Sequence, residues 1–64
     1  MIKVTLKDGS IIEFNEGITA MEVAEKISAG LARAALACEV DGIVRDLSYK
    51  LNNDCKLNIL TFED

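Results

Sequence analysis

The chain has 64 residues, half of them hydrophobic, and seven Lys and Arg stand against eleven Asp and Glu for a net charge of −4 with no histidine. That length holds one small domain with a single core. The acidic balance argues against a free-standing nucleic-acid binder, whose affinity rests on Lys and Arg contacts to phosphate; no apolar run approaches the ~20 residues of a membrane helix.

Period-two alternation starts at once, with Ile2, Val4 and Leu6 between Lys3, Thr5 and Lys7, and predicts a half-buried strand. No charged-then-apolar leader precedes it, so Met1 reads as a native start. Lys7-Asp8-Gly9-Ser10 is a tight turn in which Gly9 supplies positive φ. Ile11 to Phe14 forms the return strand, and Asn15-Glu16-Gly17 closes the hairpin.

Thr19 is a strong helix N-cap, and Glu22 three residues on completes a capping box. Ile18 is placed to pack on Val23 as a hydrophobic staple. Ala20, Val23, Ala24 and Ile27 share one face, with Glu22, Glu25 and Lys26 mostly on the solvated one. Ser28-Ala29-Gly30 ends this helix, with Gly30 expected in a left-handed C-terminal position. Leu31 to Leu36 adds a further turn or two.

Ala37 to Val40 reads as a strand, Asp41-Gly42 as a two-residue hairpin turn and Ile43 to Arg45 as the return. Asp46 to Leu51 is a connector that drops Leu47 and Leu51 into the core. After the Asn52-Asn53-Asp54 turn, Leu57, Ile59 and Thr61 alternate with Asn58, Leu60 and Phe62 in a last strand. Both its faces are fairly apolar, which predicts a central place in the sheet.

The order predicts an α+β, ubiquitin-like β-grasp fold: a mixed sheet crossed by one helix, with a short second helix. The last strand is expected beside and parallel to the first, since a helical crossover permits that pairing. The expected core is Ile2, Val4, Leu6, Phe14, Val23, Ile27, Leu36, Val40, Leu57 and Ile59.

The sequence is poor in chemistry. Nucleophilic catalysis needs a Ser, Cys or Thr beside a base, and the commonest base is missing. Cys38 reads as a small buried thiol within a strand. Cys55, next to Lys56, is the more reactive of the two, because lysine lowers a thiol pKa. In an acidic chain of this kind two distant cysteines read as reduced, cytoplasmic thiols rather than a disulfide. The carboxylate pairs Glu22/Glu25 and Asp41/Asp46 fall on exposed helix faces or turns, where nothing drives two pKa values apart. No metal-ligand spacing and no phosphate-binding glycine loop is present. The chain is expected to be no enzyme by itself and to hold no cofactor. The remaining candidate is a partner-binding surface of Arg33, Arg45, Tyr49 and Lys50, suited to an acidic or RNA partner if the second hairpin folds near the short helix.

Taken together, Asp8-Gly9-Ser10, Gly17-Ile18-Thr19-Ala20-Met21-Glu22-Val23-Ala24, Ile27-Ser28, Gly30-Leu31-Ala32-Arg33-Ala34-Ala35, Val40-Asp41-Gly42 and Asp46-Leu47 resemble the TGS domain at the N-terminus of bacterial threonyl-tRNA synthetases. The resemblance covers all 64 residues, and Leu60-Thr61-Phe62-Glu63-Asp64 is similar to the point where such enzymes continue into an editing domain. It implies that residues 1–64 are a single TGS domain, the N-terminal piece of a longer chain. The parent enzyme it implies activates threonine with ATP, charges the threonine tRNA, carries zinc in a domain beyond this one and is a cytoplasmic homodimer. For this module it implies an accessory ligand-binding or regulatory role, a monomeric fragment, weak or no nucleic-acid binding alone and no catalytic or metal residue. TGS domains also occur in GTPases and stringent-response proteins, which makes a regulatory module of that kind the alternative. The stringent-response branch carries a His-Thr pair where this chain has Ser28-Ala29-Gly30, a departure that favours the synthetase. A ubiquitin-like sulfur carrier needs a C-terminal Gly-Gly, and Phe62-Glu63-Asp64 does not offer one.

Overall fold

The computed structural model describes residues 1–61. Phe62, expected on the last strand, lies outside them. The elements are β1 (Ile2–Thr5), β2 (Ile11–Phe14), β3 (Ile18–Thr19), α1 (Ala20–Ile27), α2 (Ala29–Ala34), β4 (Ala35–Val40), β5 (Ile43–Arg45), β6 (Lys50–Leu51) and β7 (Cys55–Thr61). A five-stranded sheet has the order β2-β1-β7-β4-β5, and β3 and β6 form a separate two-stranded ribbon.

The longest strand, β7, occupies the centre. It runs parallel to β1, with Val4 beside Cys55, and antiparallel to β4, with Val40 opposite Leu57. One face of the sheet packs on α1. Ile2, Val4, Phe14, Cys38, Leu57 and Ile59 from the strands meet Ala20, Val23 and Ala24 from the helix, and Ile18, Leu47 and Leu51 close the cluster. Alanines at two of the three buried helix positions let α1 lie close to the strands. This is the α+β, ubiquitin-like β-grasp arrangement expected from the pattern.

The connector from Asp46 to Leu51 is more regular than its sequence suggests. Leu51 sits opposite Ile18 in the β3–β6 ribbon. Main-chain bonds from Gly17 N–H to Leu51 C=O (2.8 Å), Ala20 N–H to Tyr49 C=O (3.2 Å) and Met21 N–H to Leu47 C=O (3.0 Å) tie it to the start of α1. Three amides near a helix start that would otherwise lack partners are thereby satisfied.

Four expectations are corrected. Gly30 is not a left-handed cap: α1 ends at Ser28, whose backbone is extended at φ −168°, and Gly30 lies inside α2. Ser28 also caps α2, its Oγ accepting from the N–H groups of Gly30 and Leu31 at 3.2 and 3.4 Å. Leu36 is 63% exposed rather than core. The strand starts two residues early, and a register shift between Ala35 and Ala37 leaves Leu36 as the extra residue of a bulge, turned from the helix face. Ile27 is 40% exposed, because the last turn of α1 stands at the mouth of two clefts. Leu6 and Val40 pack against the core only in part.

Candidate functional site

Arg45 ends β5 directly opposite Cys38. The turn that follows closes with Tyr49 N–H on Asp46 C=O at 3.0 Å. It returns the Tyr49 ring beneath the guanidinium, with Cζ 4.9 Å from the ring centroid. A guanidinium at that distance is attracted to the ring face. Lys50 follows in β6, exposed and opposite Thr19. Arg33 lies elsewhere, in the last turn of α2, on a shallow cleft shared with Met21, Glu25, Ala29 and Ala32. The structure thus brings Arg45 and Tyr49 together, holds Lys50 next to them along the chain, and does not set Arg33 in contact with them. Met21, whose amide bonds Leu47, is the residue between the two places.

Both thiols are free. Cys38 is buried, and its Sγ donates to the carbonyls of Arg45 and Asp46 at 3.4 and 3.7 Å. Burial pushes its pKa up. The expectation that Lys56 activates Cys55 is corrected. Burial, followed by the carboxylates of Asp41 and Asp54, raises that thiol as well. Successive residues of a strand point to opposite faces, so Lys56 is directed away from Cys55. Neither cysteine has the lowered pKa that a nucleophile needs.

The carboxylates serve structure. Asp8 Oδ1 accepts from the N–H and the hydroxyl of Ser10, which hold its pKa below the ordinary value. Asp41 Oδ1 accepts from Lys56 N–H at 2.9 Å. Glu22 Oε1 accepts from the N–H and Oγ1 of Thr19, both at 3.1 Å, and these bonds lower its pKa. Among the described residues, no three His, Cys, Asp or Glu converge as metal ligands.

One feature escaped the sequence reading. A cleft of about 650 Å³ runs between β2 and α1, with Phe14 and Ile18 in its floor and Met1, Ile12 and Ile27 in its walls. The apolar walls are open to solvent: Met1 is 73%, Ile12 38% and Ile27 40% exposed. Glu16, Glu22 and Lys26 stand around it. The signal was present in the sequence as Ile11-Ile12, two adjacent apolar residues that cannot both face one core.

Comparison with known proteins accounts for the fold and the order of its turns. The family model described as TGS domain matches residues 2–61. The chain is 73% identical over its full length to a threonine–tRNA ligase of Acetivibrio thermocellus. It is 56% identical to that of Desulforamulus reducens and 50% to that of Clostridium kluyveri, again over the full chain. In each case it spans about 10% of the relative's length. With the match running from β1 to the end of β7, the chain belongs to the TGS domain family.

Proposed function

We propose that this TGS domain is the non-catalytic N-terminal accessory module of a threonine–tRNA ligase, residues 1–64 being one domain of a longer cytoplasmic polypeptide. The observation that carries the reading is the full-length match, at 73% identity, to a tenth of a ligase of that name. In this reading the longer chain activates threonine with ATP, uses zinc in another domain, charges the threonine tRNA and acts as a homodimer. The module supplies none of the reacting groups. The two unactivated thiols and the structural use of Asp8, Glu22 and Asp41 support that division of labour. Its candidate partner-contacting residues are Arg33, Arg45, Tyr49 and Lys50, of which Arg45 and Tyr49 form the ordered centre.

The test is threonine-dependent ATP–pyrophosphate exchange, measured for the longer polypeptide, for the same polypeptide lacking residues 1–61, and for the isolated domain. Exchange is expected from the first two and not from the third. Exchange by the isolated domain, or its abolition in a folded truncation, overturns the reading.

A further inference from the structure

The β2 side of the molecule combines an open sheet edge with the apolar cleft. β2 pairs with β1 alone. The bond from Leu6 N–H to Ser10 C=O fixes which residues point which way. In an antiparallel ladder, hydrogen-bonded and non-bonded pairs alternate, so Ile12 and Phe14 turn their main-chain groups toward Val4 and Ile2. Ile11 and Glu13 turn theirs outward, to the open edge.

That edge borders the cleft. Phe14 and Ile18 lie in the floor at 5% and 8% exposure, while Ile12 and Ile27 remain uncovered. Two unpaired main-chain positions beside an uncovered apolar trough are what an added strand requires: the main chain gives affinity, and alternate side chains give specificity. The charges indicate the added strand's chemistry. Glu16 and Glu22 stand at the cleft and Glu13 on the other face of the same edge, against Lys26 alone. Both capping bonds of Glu22 fall on Oε1, which leaves Oε2 turned to the surroundings. A second copy of this acidic chain brings like charges together at the edge.

We propose that the β2 edge and its cleft bind an extended, basic peptide segment as a sixth strand. Its alternate apolar side chains lie over Ile12 and Ile27, and its intervening Lys or Arg side chains stand beside Glu13. The partner is a protein segment with period-two alternation of Val- or Ile-like and basic residues.

The probe is a capped peptide alternating Val and Lys, titrated into the isotope-labelled 64-residue chain and followed by NMR. Amide shifts are expected over residues 11–16 and 22–27, with slowed hydrogen exchange at Ile11 and Glu13. A Val–Glu peptide is expected to bind at least about tenfold more weakly, from the combined rim charges. Ile11→Pro removes an outward N–H at the first residue of an edge strand, where proline is tolerated. It is expected to abolish protection at Glu13 without lowering the melting temperature by more than a few degrees. Ile27→Gln, at an exposed position, is expected to weaken binding with the fold intact. Four results overturn the proposal: no shifts at millimolar peptide; shifts centred on Arg45 and Tyr49; equal binding of both peptides; or a free chain that light scattering shows already dimerised through β2.

Discussion

At the scale of single residues, the second hairpin depends on two backbone angles. Asp41 and Gly42 have φ of +52° and +85°, the pair of positive values that a type I′ turn requires. Asp41 tolerates its strained angle because its N–H donates to Lys56 C=O and its Oδ1 accepts from Lys56 N–H, each at 2.9 Å. A Cβ on Gly42 meets nothing within 4 Å. Gly42→Val therefore acts through backbone strain alone, expected to cost about 1–3 kcal/mol. Thermal unfolding followed by circular dichroism should show a loss of roughly 4–8 °C per kcal/mol in a domain this small. Gly30 gives the opposite sign. It lies in α2 without a positive angle, and an added Cβ meets Ser28 Oγ at an ordinary 3.5 Å. Gly30→Ala is expected to stabilise by roughly 0.5–1 kcal/mol. A destabilised Gly30→Ala variant would restore the left-handed cap expected from sequence.

At the scale of elements, Ser28 joins two helices by ending one and capping the next. Ser28→Ala removes the acceptor for Gly30 and Leu31 and is expected to cost about 1 kcal/mol, read as a lower urea midpoint with an unchanged slope. The capping box of α1 carries a pH dependence. Because the folded pKa of Glu22 is depressed below 4.5 by its bonds to Thr19, its contribution is present above that value. It is lost as pH falls through the folded pKa. Glu22→Gln should therefore flatten the acid limb of the stability–pH curve while leaving the neutral region less affected, as measured by thermal melts across the acid range. Caps and turns of this kind were legible because each is written within four residues, as in Thr19 with Glu22 or Asp41 with Gly42. The central, parallel placement of β7 was legible from its two apolar faces. What was not legible depends on distant partners. The β3–β6 ribbon joins residues 18 and 51, and two-residue strands carry no period. Leu36 looks like core in any local window, and only its bulge against β7 turns it outward. The candidate surface was legible in part: the four-residue return from Arg45 to Tyr49 is local, whereas the placement of Arg33 depends on how α2 packs. The β2 cleft was illegible because a groove between a strand and a helix is a property of their spacing.

At the scale of the whole molecule, charge decides what the domain can hold alone. Seven cations are outnumbered by eleven carboxylates, and several are already matched. Lys3 sits across from Glu13 in the β1–β2 register. Lys26 acts on Glu22, and Arg33 shares a cleft with Glu25. The strip from Arg45 to Lys50 then offers about two phosphate contacts, against the six to ten of a strong nucleic-acid binder. A complex made by so few contacts is weak, yet it loses little to salt, about tenfold between roughly 50 and 200 mM by counterion release. Fluorescence anisotropy with an acceptor-stem minihelix of the threonine tRNA is therefore expected to give a dissociation constant no tighter than about 10⁻⁴ M at physiological salt. Arg45→Ala combined with Lys50→Ala should remove the residual binding without lowering the melting temperature, since both side chains are exposed. A submicromolar complex that persists in high salt would mean that the domain reads RNA through shape and hydrogen bonds rather than charge. It would also move the candidate surface away from Arg45 and Lys50.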